Sequence, residues 1–192
     1  MKISYKLFFC FALVLVVSLI SFYILIRSSH NYTLDLIDSK QVDLTQHYVG
    51  SLQNREGEFM LSYLQVLAEN ENIKNTYLNK DREELYSQVE LLFQKLQTDH
   101  ITHFYFILPN GSVFLRMHQP ELFGDIVKRS TFIKAQQTQQ PAIGIDLGKT
   151  GLALRTVLPY YDTKNNHTQL IGYLELGEEM NTFFQVLQEE FN

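Results

Sequence analysis

Twenty consecutive residues without a charge, Leu7 to Ile26, constrain this chain more than any other feature. At about 1.5 Å per residue, a helix of that length covers roughly 30 Å, the thickness of a bilayer's hydrocarbon core. A cleaved leader has a shorter apolar region, about 7–15 residues, ending at a small-x-small step. This run ends in Ile24, Leu25, Ile26, Arg27 and two serines, and offers no such step. The reading is an uncleaved signal anchor spanning the inner (plasma) membrane once at residues 7–26. Lys2, Lys6 and the amino terminus stand on one side, Arg27 and His30 on the other. The positive-inside rule then puts residues 1–6 in the cytoplasm and everything after Arg27 outside.

Charge and cysteine content remove several classes of function. A net charge of -5 with a pI near 5.7 lacks the basic face that phosphate neutralisation demands, so nucleic acid is not an expected partner. The only cysteine, Cys10, lies inside the apolar run. That excludes an intrachain disulfide and leaves no basis for thiol chemistry or a cysteine zinc site. The sequence contains no Gly-x-Ser-x-Gly elbow, no phosphate loop and no His-Glu-x-x-His, so no enzymatic activity is expected. His100 and His103 have the spacing of a metal pair if both ride on one helix end, but no further ligand stands nearby. No Cys-x-x-Cys-His haem motif occurs, and no metal or cofactor is expected.

Residues 28–100 read as a helical stalk followed by packing helices. Leu34, Gln41, Tyr48 and Arg55 recur every seven residues, with Ile37, Leu44 and Ser51 as a companion row. That diluted heptad fits either a stalk pairing with its copy in a homodimer or an amphipathic helix packed on its own domain. Asn70 to Lys80 reads as a polar loop. Asp81 and Glu84 then form a capping box ahead of Leu85, Val89, Leu92 and Leu96 at helical spacing. Next, Phe104–Leu108 and Val113–Leu115 flank Asn110-Gly111, a hairpin signal. Ser130 to Gln139 reads as a short helix capped by Ser130. Strands follow at Ala142–Leu147, Leu152–Leu158 and Gln169–Leu176, with Asp162 to Asn166 as a polar turn. Residues 178–192 close the chain as an amphipathic helix. The sum is an α+β protein with five antiparallel strands and helices on one face, a PAS-like plan.

Several blocks occur together over residues 104–177: Phe114-Leu-Arg116-Met-His118-Gln-Pro120-Glu-Leu-Phe123-Gly124-Asp125, Pro141-Ala-Ile-Gly144, Gly151-Leu-Ala-Leu-Arg155-Thr-Val-Leu-Pro159 and Ile171-Gly172-Tyr-Leu-Glu175-Leu-Gly177. In this order they resemble the Cache domains of bacterial chemoreceptors and sensor kinases, most closely the double Cache (double sensory domain) group. The resemblance implies a Cache sensor domain at 101–177 that binds a small polar metabolite, an anion or an amino acid. It also implies a further extracytoplasmic segment, a second membrane helix and an output domain, none of which this sequence carries. The alternatives are a truncated, tethered structural remnant that dimerises without sensing and a metal- or haem-binding envelope protein.

A PAS-like pocket lies between the sheet and the segment crossing it after the hairpin. Arg116 and His118 alternate and so face one side. Arg116 can hold a carboxylate bidentately, or pair with Asp125 to order the crossing loop. His118 can donate a further bond, Asp125 can accept from a ligand amine, and Arg155 is a second anion anchor. Tyr105 and Phe123 are the expected aromatic walls.

Overall fold

The computed structural model describes residues 2–148, 151–164 and 167–181, with side chains at 15–25, at 27 and from 46 onward within these ranges. The chain divides into two compact units, residues 1–50 and 51–192. Helix α1 (Lys2–Ala68) supplies the first unit and enters the second. Among the described residues, no helix is long and apolar enough to cross a membrane. Within the 7–26 run, however, side chains are described only from 15 to 25, and these are exposed. The heptad positions Leu34, Ile37, Gln41 and Leu44 lie outside the described side chains. From residue 52 onward, Leu52, Met60, Leu64 and Leu67 are buried while Ser51 and Arg55 are exposed. This end of the helix thus packs on its own domain.

Helix α2 (Glu71–Leu78) stands where a polar loop was expected. Asn70 caps it, its side chain accepting from the backbone N–H groups of Asn72 and Ile73 at 3.0 and 3.2 Å. Eight residues with Ile73 and Tyr77 as the only large buried apolar groups are too short to show a full helical period. Helix α3 (Arg82–Thr98) begins as its sequence predicts, with Asp81 accepting from the Glu84 N–H at 3.1 Å. Glu84 does not complete the box; its carboxylate takes the Gln88 amide at 2.9 Å. Phe93 joins Leu85, Val89 and Leu96 in the buried stripe.

The sheet comprises β1 (Ile101–Ile107), β2 (Val113–Arg116), β3 (Ala142–Leu147), β4 (Leu152–Lys164) and β5 (His167–Glu179), all antiparallel, in the order β2-β1-β5-β4-β3. Strands β4 and β5 run well past their predicted ends, because their polar outer segments pair with each other rather than with the core. Asp162 and Lys164, expected in a turn, lie in β4, and Asn165 and Asn166 lie outside the described residues. At the β1–β2 hairpin only Gly111 takes positive φ, at 85°. Gly111 donates to Leu108 O at 2.9 Å and Leu108 to Ser112 O at 2.8 Å, a turn with one extra residue matching the bulge at Phe106 and Ile107. Glu178 and Glu179 close β5, Met180 and Asn181 are helical, and the remaining expected helix lies outside the described residues.

Alternation along the strands sorts the two faces. Phe104, Phe106, Leu154, Thr156, Tyr160, Leu174 and Leu176 meet the helices α1 to α3, as the Tyr77–Phe106, Tyr77–Tyr160 and Phe93–Phe104 ring contacts show. At Gly57 the α1 backbone itself reaches the sheet: its carbonyl accepts from Thr156 Oγ1 at 3.0 Å, and a Cβ there would sit 2.3 Å from Ile143. The opposite face is covered too. Helix α4 (Ser130–Thr138) lies across β3 and β4, and Phe132, Ala135, Val127, Ile107, Val157 and Tyr173 form one buried cluster. Helices therefore flank both faces, not one.

Ser130 is not the cap of α4. The N-cap position is Arg129, whose side chain makes no capping bond. Asp146 of β3 caps the helix instead, bonding Ser130 N at 2.9 Å, Thr131 N at 3.1 Å and both hydroxyls. Burial pushes the Asp146 carboxyl up, but these four bonds outweigh that and hold it below its ordinary range.

Candidate functional site

Between this second face and residues 117–129, which cross from β2 to α4, lies a cavity of about 690 Å³. All six residues expected at the site line it: Tyr105, Arg116, His118, Phe123, Asp125 and Arg155. Strand order brings them together, since β1 pairs with β2 and β5, and β5 with β4. Strand β2 ends at Arg116, so His118 arrives from the loop rather than by strand alternation.

Arg116 makes the structural pair. Its Nη2 donates to both Asp125 oxygens at 2.7 Å, and Nη1 donates to the Leu122 carbonyl. One guanidinium thus ties the crossing loop down at two points while remaining on the cavity wall. Arg155, expected as a second anion anchor, is 1% exposed and bonds Glu175 at 2.8 Å. Glu175, fully buried, also accepts a bidentate pair from Arg129 at 2.6 and 2.7 Å. The Tyr105 ring lies 5.4, 5.0 and 5.9 Å from the guanidinium carbons of Arg116, Arg129 and Arg155. A ring face beside several cations offsets part of their mutual repulsion.

Arg129, Glu175 and Lys128 were not expected at the site, and His103 was read only as half of a metal-spaced pair with His100. Arg129 and Lys128 sit in an irregular loop, where no periodicity predicts direction. Glu175 was legible only as a carboxylate inside an apolar strand, a residue type almost never buried without a partner. His103 does not share a helical turn with His100: α3 ends at Thr98 and His100 takes positive φ, 65°. It lies on β1 instead, its ring 4.6 Å from that of His118.

Charge at the site is unbalanced toward positive. Among the lining side chains Arg116, Lys128, Arg129 and Arg155 outnumber the carboxylates Glu121 and Asp125, while Glu175 and Asp146 stand behind the wall and act on Arg129. His118 Nδ1, Arg129 Nε and Arg155 Nε are buried without a hydrogen-bond partner. Burial pushes His103 down to about 3, and Arg155, His118 and Arg129 push further. Burial likewise holds His118 at about 4, reinforced by Arg116, Arg155 and Arg129. Both imidazoles are neutral at physiological pH.

On the sheet's other face, burial raises the Glu178 carboxyl to about 7, with the Glu56 carboxylate adding to the effect. The two kinds of group act on stability in opposite directions. The histidines take up protons near 6.5 when unfolded but not when folded, so stability falls as pH drops from about 6.5 toward 4. Glu178 keeps its proton in the fold after the unfolded chain has lost it, so stability falls as pH rises from 4.5 through about 7. The histidines dominate the shared range, and the melting temperature should peak near pH 7. Glu178→Gln should stabilise on the order of 2 kcal/mol at pH 8 and hardly at all at pH 4.5. Equal gains at both pH values in thermal melts would refute this assignment.

Comparison with known proteins bears on the same residues. The family described as the double sensory domain of two-component sensor kinases matches residues 39–192. No curated protein sequence matches the chain. Among solved structures, the E. coli DcuS sensor domain superposes with a TM-score of 0.59 at 20% identity, covering 71% of this chain and 97% of that one. The extracellular domain of the histidine kinase vpHK1S-Z8 gives 0.50 at 18% identity, covering 73% of this chain and 56% of that one. These likenesses are of fold.

Proposed function

The chain belongs to the double Cache family, the double sensory domains of two-component sensor kinases, and on that premise we propose that it senses a small anionic metabolite outside the cytoplasmic membrane. Residues 7–26 anchor it, with residues 1–6 in the cytoplasm and the sensor domain outside. The stalk pairs with a second copy, and an output domain responds to the ligand. The observation that carries this reading is the cavity wall, where Arg116, Arg129 and Arg155 converge and cations outnumber carboxylates among the lining side chains. Arginine suits the task because its fixed fork of donors matches a carboxylate. An anion added there relieves cation repulsion and pulls on Arg116, which holds the crossing loop at Leu122 and Asp125. Signalling then requires only that the loop's two arrangements bind the anion with different affinity.

Thermal melts of the full chain in lipid nanodiscs, screened against organic acids, amino acids, amines and neutral sugars, test the proposal. A ligand at 100 times its Kd adds about 2.7 kcal/mol, which raises Tm by roughly 7–10 °C for a domain of this size. Organic acids or amino acids should produce the shift, and Arg116→Gln should abolish it. Shifts with amines or sugars alone, or none in a cooperatively melting protein, would remove the anion reading.

A further inference from the structure

We infer that the ligand is an acid with a compact apolar body, its acid head on the arginines and its body against the cavity mouth. This rests on the anion reading above and narrows it to a ligand class. Leu122, Phe123, Ile126 and Leu147 all line the cavity, yet they are 52, 55, 51 and 74% exposed. Single exposed apolar side chains are ordinary, but a set gathered on one concave wall marks a surface that something apolar covers. At the base stand the guanidiniums of Arg116, Arg129 and Arg155.

The volume agrees. An apolar cavity of about 150 Å³ encloses a benzene, so 690 Å³ holds an acid head and a ring-sized or short-chain body with room for water. The rim is also held in place. Arg116 bonds the Leu122 carbonyl and Asp125, and the Arg82 guanidinium stacks on Phe123 at 3.5 Å while bonding Pro120 O at 3.3 Å. The group that meets the ligand's head is thus the one that positions the wall for its body. Leu147 approaches from the end of β3, opposite the crossing loop in sequence and beside Gly148.

The test is calorimetric titration of the full chain in nanodiscs, with empty nanodiscs as the partition control. The probes are acetate, succinate, hexanoate, phenylacetate and hexanol. Each buried methylene is worth roughly three- to fourfold in affinity, so hexanoate or phenylacetate should bind at least tenfold more tightly than acetate, succinate or hexanol. Ile126→Ser and Leu147→Ser, both at exposed positions, should each weaken phenylacetate about tenfold and leave acetate unchanged. Succinate or acetate binding as well as phenylacetate would overturn the apolar body and leave the anion reading standing. Hexanol matching hexanoate would overturn the acid head, and the absence of binding by every acid would overturn both readings.

Discussion

Replacing Glu175 by glutamine is expected to cost about 3–5 kcal/mol, the penalty for leaving a buried charge without its counter-ion. Glu175 is 0% exposed and bonds two guanidiniums, Arg129 at 2.6 and 2.7 Å and Arg155 at 2.8 Å. The amide keeps the shape but loses the charge, and one of its ends becomes a donor facing donors. At roughly 3 °C per kcal/mol for a domain of this size, the melting temperature should fall about 10–15 °C. A second substitution separates charge from shape. Arg155→Met in the Glu175→Gln background removes one stranded cation and should recover part of the loss. If Glu175→Gln melts within 2–3 °C of the parent, the carboxylate does not hold the site together.

Gly172→Ala is the other change with a large expected effect, about 3 kcal/mol. A Cβ at 172 would stand 2.2 Å from the Tyr77 hydroxyl and 2.4 Å from the Ile107 carbonyl oxygen. Tyr77 is fully buried, and its hydroxyl donates to Ile107 O at 2.9 Å and to Ile171 O at 3.3 Å, linking α2 to β1 and β5. Overpacking costs about 1–3 kcal/mol, and displacing a buried hydrogen bond about 1 more. Urea unfolding should show the midpoint falling while the slope stays constant. Tyr77→Phe in the same background clears the hydroxyl but not the carbonyl, so it should restore only part of the midpoint.

Much of the scaffold was legible before any coordinates. Strand β1 announces itself through the aromatic run Phe104, Tyr105 and Phe106, though it begins three residues earlier at Ile101, and α3 because Asp81 stands ahead of a regular apolar row. Helix α2 was missed because its apolar positions, Ile73 and Tyr77, also suit a loop. The cap of α4 was misassigned to Ser130 because a serine ahead of a helix is ordinarily its own cap. The cap came instead from Asp146, fifteen or more residues away along the chain. Two long-range acts built the site in the same way, Glu175 joining Arg129 to Arg155 and His103 meeting His118, whereas Arg116 closing on Asp125 was one of two readings its sequence allowed.

The sequence by itself determined the α+β class, the strand count, the apolar run at 7–26 and the six residues gathered around the cavity. Periodicity and turn chemistry are local, and each is expressed within a few residues. Only the tertiary structure decided what each charged side chain does. An arginine on a strand reads the same whether it meets solvent, a ligand or a buried glutamate, because its partner arrives from another strand through sheet order and register. That register turned Arg155 inward onto Glu175, while the crossing loop brought Asp125 onto Arg116 and the unforeseen Arg129 onto Glu175.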